Sequence, residues 1–261
     1  ARLSSGEIVM TSMFGQLANG HTDANEWTLA ATSIGKLWWL AAHDERLWVG
    51  AATGLHVSDD GGTSFAPRGP SDTLWSSVLP VGDAILGCTN GEIQRSTDDG
   101  RTWTSVFRVA DHFGVGELIR GAGDDIIGTG LAGRVFLSRD RGQSFECVQH
   151  GPSEAFGGVA REGDDLWYIG PSRLMHAKST DPGNYQPAGP KKPRQMNYAR
   201  VRAAHGTVWI AAEGQLLRSL DRGASWQITL ERNTVFNDVL PLGPRRAITV
   251  TSDGTAFAIE D

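Results

Sequence analysis

The stretch Ser96-Thr97-Asp98-Asp99-Gly100-Arg101-Thr102-Trp103 decides the fold of this chain, because its pattern returns along the sequence. The pattern is Ser, any residue, Asp, any residue, Gly, any residue, Ser or Thr, and then an aromatic residue. Further full copies begin at Ser58, Ser138 and Ser219, and a worn copy that is one residue short begins at Ser179. The copies return with a period of about 40 residues, which predicts one supersecondary unit that is repeated in a ring or a stack.

We call the four full copies the Ser-Asp-Gly turns. Their matching positions are Ser58, Asp60, Gly62 and Phe65, then Ser96, Asp98, Gly100 and Trp103, then Ser138, Asp140, Gly142 and Phe145, and finally Ser219, Asp221, Gly223 and Trp226. Each copy lies between two strand-like runs, where Asp-x-Gly is a tight-turn signal. The aspartate can accept hydrogen bonds from its own turn, and glycine can take a positive φ. We interpret the copies as structural. The alternative is a calcium loop, but the distal Glu and the flanking helices of an EF-hand are missing.

The four turns resemble the Asp box, also called the BNR repeat, of sialidases, sortilin-type receptors and related β-propellers. The resemblance covers residues 55–226 directly. It implies an all-β fold, a β-propeller of four-stranded antiparallel blades, with each box away from the catalytic or binding face. It therefore implies a fold more strongly than a function. At fold level the chain is also similar to a seven-bladed family of photosystem II assembly factors, in its size, its repeat and its clustered arginines.

Alignment of the repeats predicts how many blades there are. Five whole units run from about Thr32 to Leu230, and three more strands are predicted at each end of the chain, within residues 7–30 and 234–260. This total favours seven blades, and six is the alternative. We expect the N- and C-terminal strands to close the ring, because closure removes exposed sheet edges. We expect residues 1–261 to form a single domain.

Composition limits the class of partner. The net charge of −6 argues against a nucleic-acid binder, which would need a basic surface. No run of eighteen apolar residues is present, so we predict that the protein is not integral to a membrane. Cys88 and Cys147 occupy different places in neighbouring repeats, so we expect two thiols, which are more typical of a reducing compartment such as the cytoplasm. A removed leader would instead allow export.

The loops that join one blade to the next carry the candidate chemistry of an enzyme. Asp111, His112, Glu154 and Tyr198 are the residues that a sialidase-like glycosidase would use as acid, base or nucleophile. However, the sialidase Arg-Ile-Pro signature is absent, and the loops within blades are short. We therefore predict no catalytic residues and keep these four as candidate binding residues. The seven histidines have no ligand-like spacing, so we predict no metal and no cofactor.

Two basic groups are the sharper candidates for binding. Arg120, Arg161 and Arg202 are evenly spaced, one repeat apart, and are predicted to end the inner strands of three successive blades. They could form an interblade ladder to turn carboxylates such as Asp124 and Asp164, or an arc that grips an acidic partner. The loop of Lys191, Lys192 and Arg194 is flanked by prolines. It could be a solvated linker or a docking site for an acidic protein surface.

Tryptophans could line a sugar-stacking surface or fill the core. Trp48, Trp167 and Trp209 occupy equivalent places in the second strands, which predicts core positions. Trp39 and Trp75 are less regular, and we expect them to be the exposed aromatics. Together these observations favour a non-catalytic binding or assembly module that mediates protein–protein interaction within a larger complex. The alternative is a sialidase-like glycoside hydrolase or a carbohydrate-binding propeller.

Overall fold

The computed structural model describes residues 1–11, 15–21, 27–89, 91–109, 114–149, 155–190 and 198–260. The chain folds as two compact units, residues 1–115 and 116–261. Over the described residues, both units consist of β-strands, with one short 3₁₀ turn at Leu131–Gly133. The described residues hold no helix that is long and apolar enough to cross a membrane. The expectation of a single domain over residues 1–261 stays a prediction.

The N-terminal unit has three antiparallel sheets over its described residues. The first sheet contains β1 (Ile8–Thr11), β2 (Gln16–Gly20) and β3 (Thr28–Ala31). The second contains β4 (Leu37–His43), β5 (Arg46–Ala51), β6 (Gly54–Ser58) and β7 (Ala66–Arg68). The third contains β8 (Trp75–Val81), β9 (Ala84–Thr89), β10 (Glu92–Ser96) and β11 (Thr104–Arg108). Each strand pairs with its neighbours in sequence, as in the meander of a propeller blade.

The C-terminal unit continues the same pattern with three more sheets over its described residues. The first contains β12 (Val115–Arg120), β13 (Ile126–Gly130), β14 (Val135–Ser138) and β15 (Glu146–Gln149). The second contains β16 (Gly158–Glu162), β17 (Asp165–Ile169), β18 (Leu174–Lys178) and β19 (Asp181–Ala188). The third contains β20 (Tyr198–Ala204), β21 (Thr207–Ser219), β22 (Gln227–Pro241), β23 (Ala247–Thr251) and β24 (Ala256–Ile259).

The described strands therefore form six blades, and the predicted count of seven is wrong, whereas the alternative of six agrees. The difference arises at β22, a single strand of 15 residues. Its first part pairs with β21, with Arg218 opposite Gln227, and its second part pairs with β23, with Phe236 opposite Thr251. Two sequence repeats thus share one five-stranded sheet. The all-β propeller class with four-stranded antiparallel blades is confirmed.

The strands at the two ends of the chain lie in different sheets. The strands β1, β2 and β3 pair with one another, and β24 pairs with β23. The sequence predicted that strands from both termini would meet and close the ring. The described pairings do not join them in one blade. Closure of a ring by the terminal strands stays a prediction.

The second strand of each four-stranded blade lies in the core. The strands β9, β13 and β17 are buried along their whole length, and β5 is buried after its first residue. Strands that are buried on both faces read as continuous apolar runs, which explains why they were recognisable in the sequence. Trp48, Trp167 and Trp209 lie in these strands or in the equivalent β21 and are at most 1% exposed, which confirms their predicted core positions.

The prediction that Trp39 and Trp75 are exposed is wrong. Trp75 is 2% exposed, because its ring packs against Trp103 with ring centroids 4.4 Å apart. Trp39 is half-buried, and its indole N–H donates to the carbonyl of Trp75. The exposed tryptophan is Trp38, at 47%. The sequence could not distinguish Trp38 from Trp39, because a register shift between Leu37 and Trp39 changes the alternation of faces.

Candidate functional site

The four Ser-Asp-Gly turns are closed by the same set of hydrogen bonds. In the second turn, the Ser96 hydroxyl donates to Asp98 Oδ1 at 2.8 Å and accepts the backbone N–H of Gly100 at 2.9 Å. The other carboxylate oxygen, Asp98 Oδ2, accepts the Thr102 hydroxyl at 2.6 Å. The turns at Asp60, Asp140 and Asp221 repeat these contacts within about 0.2 Å. Each aspartate carboxylate thus accepts its hydrogen bonds from residues of its own turn.

Hydrogen bonding shifts the acidity of these aspartates. For Asp98, the Thr102 hydroxyl and backbone N–H, followed by the Ser96 hydroxyl, lower the pKa from 3.8 to about 2. The pKa values of Asp60 and Asp221 are lowered to about 2 by the equivalent donors, and that of Asp140 also falls to about 2 although burial opposes the change. Donors that bind the charged form favour it. The turns therefore hold carboxylates that stay ionised, which fits a structural role.

The worn copy does not form such a turn. Asp181 is the first residue of β19, and its carboxylate accepts a hydrogen bond from the Asn184 side chain at 3.2 Å. The aromatic position keeps its role, because Tyr185 is 8% exposed and packs on Phe156 and Tyr168. A repeat can thus lose the carboxylate turn and still keep its aromatic anchor.

Two cavities lie beside turns of the repeat, one in each unit. The N-terminal one, of about 470 Å³, is lined by Arg46, Trp48 and Asp99 among others. The C-terminal one, of about 300 Å³, is lined by Asp165, Trp167 and Arg222 among others. Arg46 pairs with Asp99, and Asp165 lies 3.6 Å from Arg222, so the same two repeat positions carry opposite charges in the two units. In both cavities these two positions form an ion pair with each other.

A different cluster lies on the inner strands of the C-terminal unit. Arg202 on β20 donates to Glu117 of β12 at 3.3 Å and to Asp238 of β22 at 2.9 Å. Glu117 also accepts the backbone N–H of Val159 on β16 at 3.2 Å. Arg200, on the same strand as Arg202, donates to the carbonyl of Gly157 at 2.9 Å. We call Glu117, Arg200, Arg202 and Asp238 the inner-strand network, because its contacts join four inner strands.

The network is partly open to solvent. The side chain of Glu117 is 22% exposed, that of Arg202 is 29% exposed and that of Asp238 is 41% exposed. Burial opposes the charge of Arg202, but the carboxylates of Asp238 and Glu117 outweigh it and raise the pKa of the guanidinium above its ordinary value. Arg202 is therefore a permanent cation that is held in place and still reachable from solvent.

The three predicted arginines do not occupy equivalent positions. Arg202 pairs across its hairpin with Trp209, whereas Arg161 pairs with Leu166, the neighbour of Trp167. The step from Trp167 to Trp209 is one position longer than the step from Arg161 to Arg202, so the two arginines are offset by one position. Such an offset puts a side chain on the opposite face of a strand. Arg120 is exposed at the end of β12.

Arg202 does not form the predicted interblade ladder to turn carboxylates. Its partners are the inner-strand carboxylates Glu117 and Asp238, whereas Asp124 accepts from Arg141 at 2.8 Å. Within the described residues the Arg161 Nε is buried and has no hydrogen-bond partner. The structure thus places Arg202 in a cluster and leaves the roles of Arg120 and Arg161 as predictions.

The other predicted binding residues lie outside the described part of the chain: Asp111, His112, Glu154, Lys191, Lys192 and Arg194. Tyr198 begins β20, but its side chain is also outside it. The described residues hold no group of three or more His, Cys, Asp or Glu that could bind a metal.

Three members of the network were not predicted from the sequence, namely Glu117, Arg200 and Asp238. One of them had a recognisable signal. Arg200 and Arg202 flank Val201, which is 0% exposed, and this alternation predicts that both arginines lie on the face opposite the core. Glu117 and Asp238 had none, because they meet Arg202 from strands that are 85 and 36 residues away in sequence.

Comparisons with known proteins show that this chain is similar in sequence to an assembly protein. No protein-family model matches the chain. The chain is 28% identical over 170 residues to the photosystem II assembly lipoprotein Ycf48 of Prochlorococcus marinus (strain MIT 9313), and this match covers 61% of the chain. The match spans about half the length of that relative, 49%.

Solved structures give the same picture at the level of the fold. YCF48 bound to a D1 peptide is 17% identical with a TM-score of 0.75, and the match covers 100% of this chain and 96% of that one. YCF48 from Cyanidioschyzon merolae is 14% identical with a TM-score of 0.76, with 100% and 94% covered. An ancestral GH74 enzyme has a TM-score of 0.77 at 12% identity, but only 43% of its chain is covered. The chain is therefore a β-propeller that is similar in fold to Ycf48.

Proposed function

We propose that this chain is a non-catalytic, protein-binding propeller that acts in the assembly of a larger complex. The observation that carries the proposal is the sequence similarity to the assembly lipoprotein Ycf48 over 170 residues. A solved YCF48 structure holds a D1 peptide, which supports an extended protein segment as the kind of partner. We infer that this chain binds such a segment.

The described carboxylates with a shifted pKa are held in their charged form. A glycosidase needs one carboxyl group with a raised pKa to act as a general acid. Among the described residues, the carboxyl groups with a shifted pKa all shift downwards: Glu45, Asp60, Asp98, Asp140, Asp165, Asp221 and Asp253. Glu117 and Asp238 share one guanidinium. This arrangement suits recognition of charged groups.

The inner-strand network is the proposed contact surface. Four strands of the C-terminal unit contribute to it, and it combines a fixed cation with partial exposure. Polar and charged groups of this kind give a binding surface its specificity. Arg161 is offset from Arg202 by one position and Arg120 ends β12, so both stay proposed binding residues separate from this surface. Lys191, Lys192 and Arg194 are proposed to speed association with an acidic partner, an effect that should weaken as salt rises.

We further propose that the chain is a divergent member of the Asp-box propellers. The four Ser-Asp-Gly turns with one common hydrogen-bond pattern support this assignment. In such propellers the repeated turns serve the fold, and the binding surface lies elsewhere. A ring closed by the terminal strands belongs to the same proposal.

Binding to a D1 peptide tests the proposal directly. The experiment compares wild type with Arg202→Gln by fluorescence anisotropy, and adds cross-linking with mass spectrometry in the native cells. Arg139→Gln is the matched control, because Arg139 is 63% exposed and pairs only loosely with Glu146 at 3.8 Å. We expect Arg202→Gln to weaken binding about tenfold or more and Arg139→Gln to leave it within about twofold. No peptide binding and no cross-linked partner for wild type would contradict the proposed function.

A further inference from the structure

Glu117 is the less firmly held of the two carboxylates on Arg202. Its Oε1 accepts from Arg202 at 3.3 Å and its Oε2 accepts from the Val159 N–H at 3.2 Å. Asp238 instead accepts from Arg202 at 2.9 Å and from its neighbour Val239 at 2.8 Å. Charge-assisted hydrogen bonds are strongest at about 2.7–2.9 Å. The contact between Arg202 and Glu117 is therefore the one that yields first.

The backbone beside Glu117 leaves room for another group. A Cβ at Gly157 would meet no atom of the described residues within 4 Å, which leaves open space beside it in this part of the structure. A Cβ at Gly158 would lie 3.1 Å from Glu117 Oε2 and 3.6 Å from an Arg200 nitrogen. The absence of a side chain at Gly158 thus lets Glu117 and Arg200 approach the same strip of backbone. Arg200, through its bond to the Gly157 carbonyl, and Arg202, through its bond to Glu117, both lie beside this strip.

We propose that a carboxylate of the partner replaces Glu117 on Arg202, so that Glu117 is an internal competitor that sets the affinity of the surface. This inference rests on the proposed function. In the unbound protein Glu117 supplies a second carboxylate to the partly buried guanidinium, beside Asp238. A partner segment without a carboxylate gains nothing from displacing Glu117, so the competitor also rejects neutral segments.

The carboxylate has two possible sources in a protein partner, an acidic side chain or the chain end. Three labelled ten-residue Gly/Ser peptides distinguish them. The first has two central Asp residues and an amidated end, the second has Asn at those positions and a free C-terminal carboxylate, and the third has Asn and an amidated end. Anisotropy with the full chain measures the affinity of each. We expect one of the first two peptides to bind more tightly than the neutral third.

The variant Glu117→Gln tests the competitor itself. Gln keeps the length and an oxygen acceptor for Val159 but removes the charge that pairs with Arg202. We expect it to tighten binding of the carboxylate peptide by about three- to fivefold, the upper part of the range for a partly exposed ion pair. Glu146→Gln is the matched control: it changes the net charge equally, on the outer strand β15, and its side chain is 63% exposed. We expect the control to change the affinity by less than about twofold.

A second variant, Glu117→Asp, tests the inference if Glu117→Gln fails to fold. Glu117→Asp keeps the charge and shortens the side chain by one methylene group, so it loses reach to Arg202, and a smaller gain in affinity is expected. Thermal melting of each variant reports folding separately.

Equal or weaker peptide binding by both Glu117 variants would overturn the inference, as would equal binding of all three peptides. Those results leave the proposed function standing if D1-peptide binding or cross-linked partners persist. Tighter peptide binding without either of them would support the inference and contradict the proposed assembly role.

Discussion

The Ser-Asp-Gly turns and the inner-strand network both hold carboxylates by hydrogen bonds, but over very different distances in sequence. The bonds of each turn join residues two to four positions apart. Those of the network join residues 36 to 85 positions apart. The turns recur four times, whereas Glu117, Arg202 and Asp238 occur together once. In this protein the repeated local contacts serve the fold, and the inner-strand network is where recognition is proposed.

Acid should act on the turns first and give the largest effect. The four turn aspartates have pKa values of about 2 in the folded protein and an ordinary value of 3.8. A lowered folded pKa contributes stability that is present above the unfolded pKa and is lost as the pH falls through the folded pKa. We expect the Tm to be flat from these groups above pH 5 and to fall by about 10 °C between pH 5 and pH 2.5.

Circular dichroism melts across this pH range check the prediction. Asp98→Asn is the control, because it removes one titrating carboxyl and should reduce the acid-induced fall in Tm. A Tm that stays constant down to pH 2.5 would show that the turn carboxylates do not stabilise the fold.

Removal of one turn carboxylate should have a smaller effect. In Asp98→Ala the Ser96 and Thr102 hydroxyls and the Thr102 N–H lose their acceptor. Loss of such a local cap lowers the Tm by about 3–6 °C in a protein of this size. Peptide binding should fall only as far as the folded fraction falls. Loss of binding at an unchanged Tm would mean that the turn belongs to the recognition surface and would erase the contrast between the turns and the network.

Substitution of Asp181 in the worn copy should change the Tm least, and it is the matched control for Asp98→Ala. Asp181 accepts from Asn184 at 3.2 Å, within one strand, β19. We expect Asp181→Ala to change the Tm by less than about 1 °C, since a weak exposed contact contributes little. A fall as large as that of Asp98→Ala would show that the Asp position matters independently of the turn geometry.

Much of the fold was predictable because its information is local. The Ser-Asp-Gly turns are recognisable from residues within eight positions, and the buried second strands are apolar runs. The number of blades was not, because β22 continues without a break from one repeat into the next. The exposure of Trp38 and Trp39 was not either, because a register shift of one residue reverses the faces.

The network was predictable only in part. Arg202 was selected through the even spacing of three arginines, yet that spacing is one position shorter than the repeat that Trp167 and Trp209 mark. Its carboxylate partners come from strands that no local pattern joins to β20. A single sequence carries periodicity along the chain, but which inner strands meet depends on the packing of blades against one another.

The continuous strand β22 ties the last two sequence repeats into one cooperative unit of folding. Its backbone cannot separate from β21 at Leu230 without disturbing the pairing of Phe236 with β23 a few residues later. The preceding blades share no strand with one another over the described residues, so each can open separately. Amide hydrogens of β21, β22 and β23 should therefore exchange as a single group, slower than those of a lone blade. Asp238, which anchors Arg202, lies on this strand, so the surface proposed for recognition is fixed to the part of the chain that opens last.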